Sequence, residues 1–210
     1  MRHFTIITLA LSTLLIMAAC SQAEIEKTEE TAPEKTCTYT YDHQSSVMEW
    51  TAFKFIDRTE VKGTFTRIII KDGGAMNDPK RLIQSLSFSI PISTIETQNP
   101  ERDAKIAKYF FGTAGIETIQ GTMKELKDNG TAMLEITIND ITKNVTGMYT
   151  LEDGDFTLNA TIDIADWNLL TGLEALDRAC SAQHKDPGGA SKLWSDVDLL
   201  FKTTLHAECE

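Results

Sequence analysis

From Cys37 onward the dominant hydrophobic period is two, and that period constrains the fold more than any other feature of the chain. Leu86, Phe88, Ile90 and Ile92 alternate with Ser85, Ser87, Ser89 and Pro91. Successive side chains leave a strand on opposite faces, so this is the pattern of a half-buried strand. Leu134, Ile136 and Ile138 alternate with Glu135, Thr137 and Asn139, and Phe156, Leu158, Ala160, Ile162 and Ile164 form another apolar row. Val197, Leu199, Phe201 and Leu205 make the last. Weaker strand patterns run over residues 46–55, 61–70, 116–126 and 144–152. Turn chemistry separates them at Lys71-Asp72-Gly73-Gly74, Asp128-Asn129-Gly130 and Glu152-Asp153-Gly154-Asp155. Eight antiparallel strands with one apolar face each need a second sheet or closure on themselves. Closure removes exposed edges, and about eight strands leave an interior for side chains or one small ligand.

Two segments break the period. Asn99-Pro100-Glu101 is a helix start, with Asn as N-cap, Pro at the first helical position and an acid in the first turn. It predicts a helix over 100–111 with Ile106, Tyr109 and Phe110 on one stripe, stopped by Gly112. A second helix is expected over 173–184, with Leu173, Leu176, Ala179 and Cys180 on one face.

The N-terminus reads as an address. Met1-Arg2-His3 is cationic, and Phe4–Met17 is an uncharged, largely apolar run of 14 residues. A membrane-spanning helix needs roughly 20 such residues, so the run fits a signal-peptide core instead. It ends in Met17-Ala18-Ala19-Cys20, which resembles a bacterial lipobox with Met17 in place of the usual branched aliphatic residue. That resemblance implies removal of residues 1–19 and acylation of Cys20, a membrane anchor. Residues 20–36 hold five Glu and little that is apolar, a solvated acidic tether. Residues 37–210 remain to fold, and 174 residues make one domain. Cleavage leaves 19 cations against 31 acids, moving the net charge from -11 to -12. A nucleic-acid partner needs clustered Lys and Arg, so that acidity argues against one.

The order of parts resembles the YceI-like family of bacterial periplasmic proteins. The first-strand motif is Tyr39-Thr40-Tyr41-Asp42 with Ser45-Ser46-Val47, followed by the aromatic Trp50. Val61-Lys62-Gly63-Thr64-Phe65 leads into the second strand, and Ser93-Thr94-Ile95-Glu96-Thr97 precedes Arg102-Asp103 and Tyr109-Phe110-Phe111. Asp140-Ile141-Thr142-Lys143-Asn144-Val145, Asp166-Trp167 and Trp194-Ser195-Asp196-Val197 complete the series. Lys105 and Lys54 stand where the family often carries histidine, and Asp140 replaces a glycine. The resemblance implies an all-β, lipocalin-like, eight-stranded antiparallel up-and-down barrel with one or two short helices. It also implies a ligand: a polyisoprenoid or isoprenoid-quinone-type lipid held in an apolar tunnel.

In a closed barrel the inward rows include Trp50, Phe65, Phe88, Ile90, Ile92 and Leu134, then Ile136, Leu158, Ile162 and Leu199. These residues either fill a core or, as the resemblance implies, line the tunnel. Phe110 and Phe111 are placed at one mouth, with Arg102 and Asp103 as the polar pair beside it. With Cys20 acylated, Cys37, Cys180 and Cys209 remain in an oxidising compartment. Cys37 and Cys209, on adjacent first and last strands, are candidates for a disulfide; Cys37 with Cys180, or all reduced, are the alternatives. Cys180-x-x-x-His184 lacks the further ligands of a zinc site, so no metal is expected. No nucleophile elbow, P-loop or dinucleotide fingerprint occurs, and neither an enzyme nor a cofactor is expected. The expected protein is an envelope lipoprotein, anchored through Cys20, facing the periplasm and, from Ser21, sorted to the outer membrane. The alternative is a non-catalytic envelope scaffold or stress protein whose filled barrel presents a protein-binding surface.

Overall fold

The computed structural model describes residues 36–183, 185, 188, 189 and 191–210. The signal segment, Cys20 and the tether up to residue 35 lie outside the described residues, as does His184. Eleven strand segments run in chain order: β1 (Cys37–Tyr41), β2 (Val47–Lys54), β3 (Thr59–Phe65), β4 (Ile69–Lys71) and β5 (Ser87–Pro91). Then follow β6 (Ile95–Glu96), β7 (Thr118–Leu126), β8 (Thr131–Ile138), β9 (Ile141–Glu152), β10 (Asp155–Asp163) and β11 (Leu193–Cys209).

Every pairing is antiparallel, along the path β4-β5-β7-β8-β9-β10-β11-β2-β3-β6, with β1 alongside the end of β11. The two ends of that path are parts of one strand pair. Residues 66–68 separate β3 from β4, and a 3-10 turn over Ile92–Thr94 separates β5 from β6. Across the gap Thr66 N–H donates to Thr94 O at 2.8 Å, so the sheet returns on itself. The eight expected strands are thus present as eleven segments, because three of them are broken. The first break, after β1, is the Asp42 turn, where Asp42 Oδ1 accepts Gln44 N–H at 2.8 Å. The break in the β5–β6 run follows Pro91, which has no N–H for the ladder.

Among the described residues three α-helices accompany the sheet. α1 (Pro79–Gln84) starts at Asp78, whose side chain accepts from Lys80 and Arg81 N–H, and it buries Leu82 and Ile83 completely. The sequence reading missed it, although Asp78-Pro79 is a cap followed by a first-position proline. α2 (Pro100–Lys105) has the expected Asn99 cap, then passes into a π-helical turn over Ile106–Phe111. α3 (Leu170–Ala179) begins three residues before the expected start and ends at Cys180.

Cys37 and Cys209 face each other across β1 and β11 and form a disulfide, leaving Cys180 as a free buried thiol. At the disulfide end the barrel is filled. Tyr149 stacks on Phe156 with ring centres 5.7 Å apart, and Phe156 meets Phe201 at 6.3 Å. Leu82, Ile83, Leu126, Leu134, Leu158 and Leu205 complete that packing.

Candidate functional site

The other end of the barrel encloses a cavity of about 370 Å³. That volume falls within the range of small-ligand pockets, roughly 300–1,000 Å³. Its floor and walls come from inward positions of the strands: Trp50 and Ala52 on β2, Val61 and Phe65 on β3, Ile119 on β7, Ile138 on β8, Ile162 on β10 and Val197 and Leu199 on β11. Ile106, Phe110 and Phe111 close it from the π-helical turn, and Leu169, Leu173, Leu176 and Cys180 from the α3 segment. The π turn rotates the chain less per residue than an α-helix, which brings both adjacent phenylalanines to the wall, while Tyr109 lies out of it.

Two glycines make the walls fit. Trp50 pairs with Gly63 across β2 and β3, and a Cβ at Gly63 would stand 2.2 Å from the Trp50 ring. A side chain at Gly172 would meet the Phe110 carbonyl oxygen at 2.3 Å, so α3 rests directly on the π turn. Trp50 is 9% exposed, and its indole N–H has no hydrogen-bond partner.

The polar lining is sparse: Lys54, Asn99, Glu101, Arg102, Lys105 and Gln183. Lys105 Nζ contacts Glu101 Oε1 at 2.7 Å, which raises the lysine pKa and lowers the glutamate's. Burial pushes the Cys180 thiol up, opposed by the nearby Lys105 ammonium, so this cysteine behaves as a small apolar wall residue.

Of the positions expected to line a tunnel, Trp50, Phe65, Phe110, Phe111, Ile162 and Leu199 lie on the cavity, and Arg102 stands in its wall. Phe88, Ile90, Ile92, Leu134, Ile136 and Leu158 do not line it; Ile90 is buried elsewhere, and the others pack in or against the core. Phe88 lies against Gly121, where a Cβ would come within 2.4 Å of its ring, and Ile92 sits in the 3-10 turn. Asp103 is not a mouth residue either. Its Oδ1 accepts from Thr97 N–H at 2.9 Å and from Thr97 Oγ1 at 2.5 Å, fastening the α2 start to β6. The sequence reading missed Lys54, Ile119, Ile138, Val197 and Trp194 as lining residues. The apolar stripe of α3 was visible, but nothing local tells which wall it covers.

Among the described residues no group of three or more His, Cys, Asp or Glu could hold a metal ion. Among them, too, no helix is long and apolar enough to cross a membrane.

The YceI-like domain model matches residues 39–204. Among solved structures, a polyisoprenoid-binding domain from Saccharophagus degradans, implicated in plant cell wall breakdown, superposes with a TM-score of 0.55 at 12% identity, covering 83% of this chain and 100% of that one. BcnA from Burkholderia cenocepacia gives 0.54 at 15% identity, over 80% of this chain and 99% of its own. A variant of the Campylobacter jejuni YceI protein, carrying a monobromobimane guest, gives 0.51 at 19% identity, over 75% and 91%. No curated protein matches the sequence.

Proposed function

The chain belongs to the YceI-like family, and from that premise we propose that it binds an isoprenoid-type lipid in the cavity at the open end of its barrel. The observation that carries this reading is the lining: apolar side chains on every strand-borne wall, with polar groups confined to the end of β2, the α2 segment and the turn after α3. Such a wall rewards an apolar chain along its length, at about 25 cal/mol per Å² of surface removed from water. The function needs no bond to be made or broken, and the protein acts as a non-catalytic carrier or holder. The Saccharophagus neighbour is a polyisoprenoid-binding domain, which supports the same ligand class. Acylation of Cys20 would keep this carrier on the periplasmic face of the bacterial envelope, at the outer membrane.

Organic extraction of the purified full chain, followed by mass spectrometry, tests the reading. A stoichiometric isoprenoid, or saturable uptake of an added isoprenoid quinone, is the expected result. A chain that yields no lipid and takes up none would overturn it.

A further inference from the structure

The turn from β2 to β3, Phe55–Arg58, reverses the chain beside the cavity without a glycine. Phe55 and Arg58 both adopt left-handed backbone angles, with φ of 62° and 59°, a conformation that disfavours bulky side chains. The cost holds Ile56 out at the tip, 68% exposed and the most exposed of the large hydrophobic residues described. Trp194 fixes the turn from the side. Its Nε1–H donates to Phe55 O at 2.7 Å, while Phe55 N–H donates to Lys192 O at 2.8 Å.

Three cations lie on the rings of this cluster. Lys54 Nζ is 4.7 Å from the Phe55 ring centre, and Lys192 Nζ is 4.7 Å from Trp194. The Arg58 guanidinium stacks between Phe53 at 4.1 Å and Trp194 at 4.6 Å. Of the acids nearby, Asp196 is held by Arg58, Glu60 by Lys62, Asp198 accepts from Thr161 Oγ1 at 2.6 Å, and Asp57 accepts from Thr59 N–H and Oγ1 within its own loop. Lys54 and Lys192 have no acidic partner among the described residues. Lys54 and Trp194 also line the cavity, so the tip and the ligand site share one rim.

We propose that this tip docks the open end of the barrel onto a bilayer containing anionic lipid, resting on the reading that the cavity takes a lipid. An exposed isoleucine, an indole and lysines laid over aromatic rings make a surface whose apolar part enters the headgroup boundary while its cations meet lipid charge. Charge complementarity selects the orientation. A chain of net charge -11 is repelled by an anionic surface, except where its cations outnumber its acids. Around the tip and rim, Lys54, Arg58, Lys62, Arg102, Lys105 and Lys192 stand against Asp57, Glu60, Glu101, Asp196 and Asp198. Arg58, Lys62 and Lys105 are paired with Asp196, Glu60 and Glu101, which leaves Lys54, Arg102 and Lys192 with no acidic partner among the described residues.

Tryptophan fluorescence of the full chain, mixed with vesicles of brominated phosphatidylcholine and phosphatidylglycerol in equal parts, tests the docking. Bromines quench an indole only on contact, and the Trp194→Phe variant isolates the Trp194 contribution. The expected result is quenching of Trp194 emission, lost when phosphatidylglycerol is omitted. Ile56→Asp and Lys192→Glu, both at exposed positions, should each weaken the quenching titration by roughly tenfold. Trp194 emission indifferent to the brominated lipid, or unaffected by either substitution, would overturn the proposal. Uptake of an isoprenoid quinone from detergent micelles by the same preparation keeps the two readings apart. Uptake without quenching removes the docking alone, whereas absence of uptake removes the lipid-holding premise and the proposal that rests on it.

Discussion

At the disulfide end, β9, β10 and β11 point Tyr149, Leu158 and Phe201 inward as one cross-strand row. The next inward row toward the open end, on the same three strands, is Gly147, Ala160 and Leu199. The first row is part of a closed core, and in the second Leu199 already lines the cavity while Gly147 and Ala160 do not. The β9–β10 ladder ends at this second row, whereas β10 and β11 stay paired past it to Asp163 and Asp196. A barrel of this size is filled by default; here it stays open past these two rows. Beyond them the wall residues are chiefly branched aliphatics too short to meet across the interior.

Truncation should separate the two ends most sharply. Phe156→Ala, at a position 1% exposed, leaves a void in a packed core and is expected to cost about 3–5 kcal/mol. Leu199→Ala only widens a space that already exists and should cost about 1–2 kcal/mol, below the usual range for a buried leucine. Denaturant unfolding of both variants measures the contrast. Equal losses would show that the open end is as tightly packed as the other.

Enlargement gives the converse, with a smaller effect. Ala132→Leu, at a fully buried site of the filled end, is expected to destabilise by about 1–3 kcal/mol through overpacking. Val197→Phe on the cavity wall should leave the melting temperature near that of the parent and reduce lipid uptake. A large stability loss at Val197 would contradict the geometry of the cavity.

The smallest effect concerns the helical side of the rim. The Lys105 hydrogen bond holds the Glu101 pKa below its ordinary 4.5. A depressed carboxylate pKa contributes stability above the unfolded value and loses it as pH falls through the folded one. Both side chains reach solvent, so the pair is expected to matter little. Glu101→Gln should lower the melting temperature slightly at neutral pH, with the gap to the parent closing as pH falls below 4.5.

These contrasts mark what the sequence made legible. Alternation identified the inward face of the four strongly patterned strands, and the positions of Cys37 and Cys209 on the first and last strands brought their pairing within view. Alternation does not say how far along the barrel axis a residue lies. Ile90 and Ile162 read alike, yet Ile90 is buried away from the cavity and Ile162 faces it. That Leu199 shares a row with Gly147 and Ala160 emerges only when β9, β10 and β11 are set in register, since the three positions lie far apart in the chain. The wall formed by Phe110 and Phe111 depends on a π turn, which helical periodicity of 3.6 does not anticipate.

The absence of a side chain at Gly172 has a mechanical consequence. With the α3 backbone resting directly on the Phe110 carbonyl, no side-chain layer lies between these two parts of the wall to yield when one of them moves. The π turn and α3 therefore form one continuous piece of the cavity wall, with Phe110 and Phe111 on one side of the contact and Leu173 and Leu176 on the other.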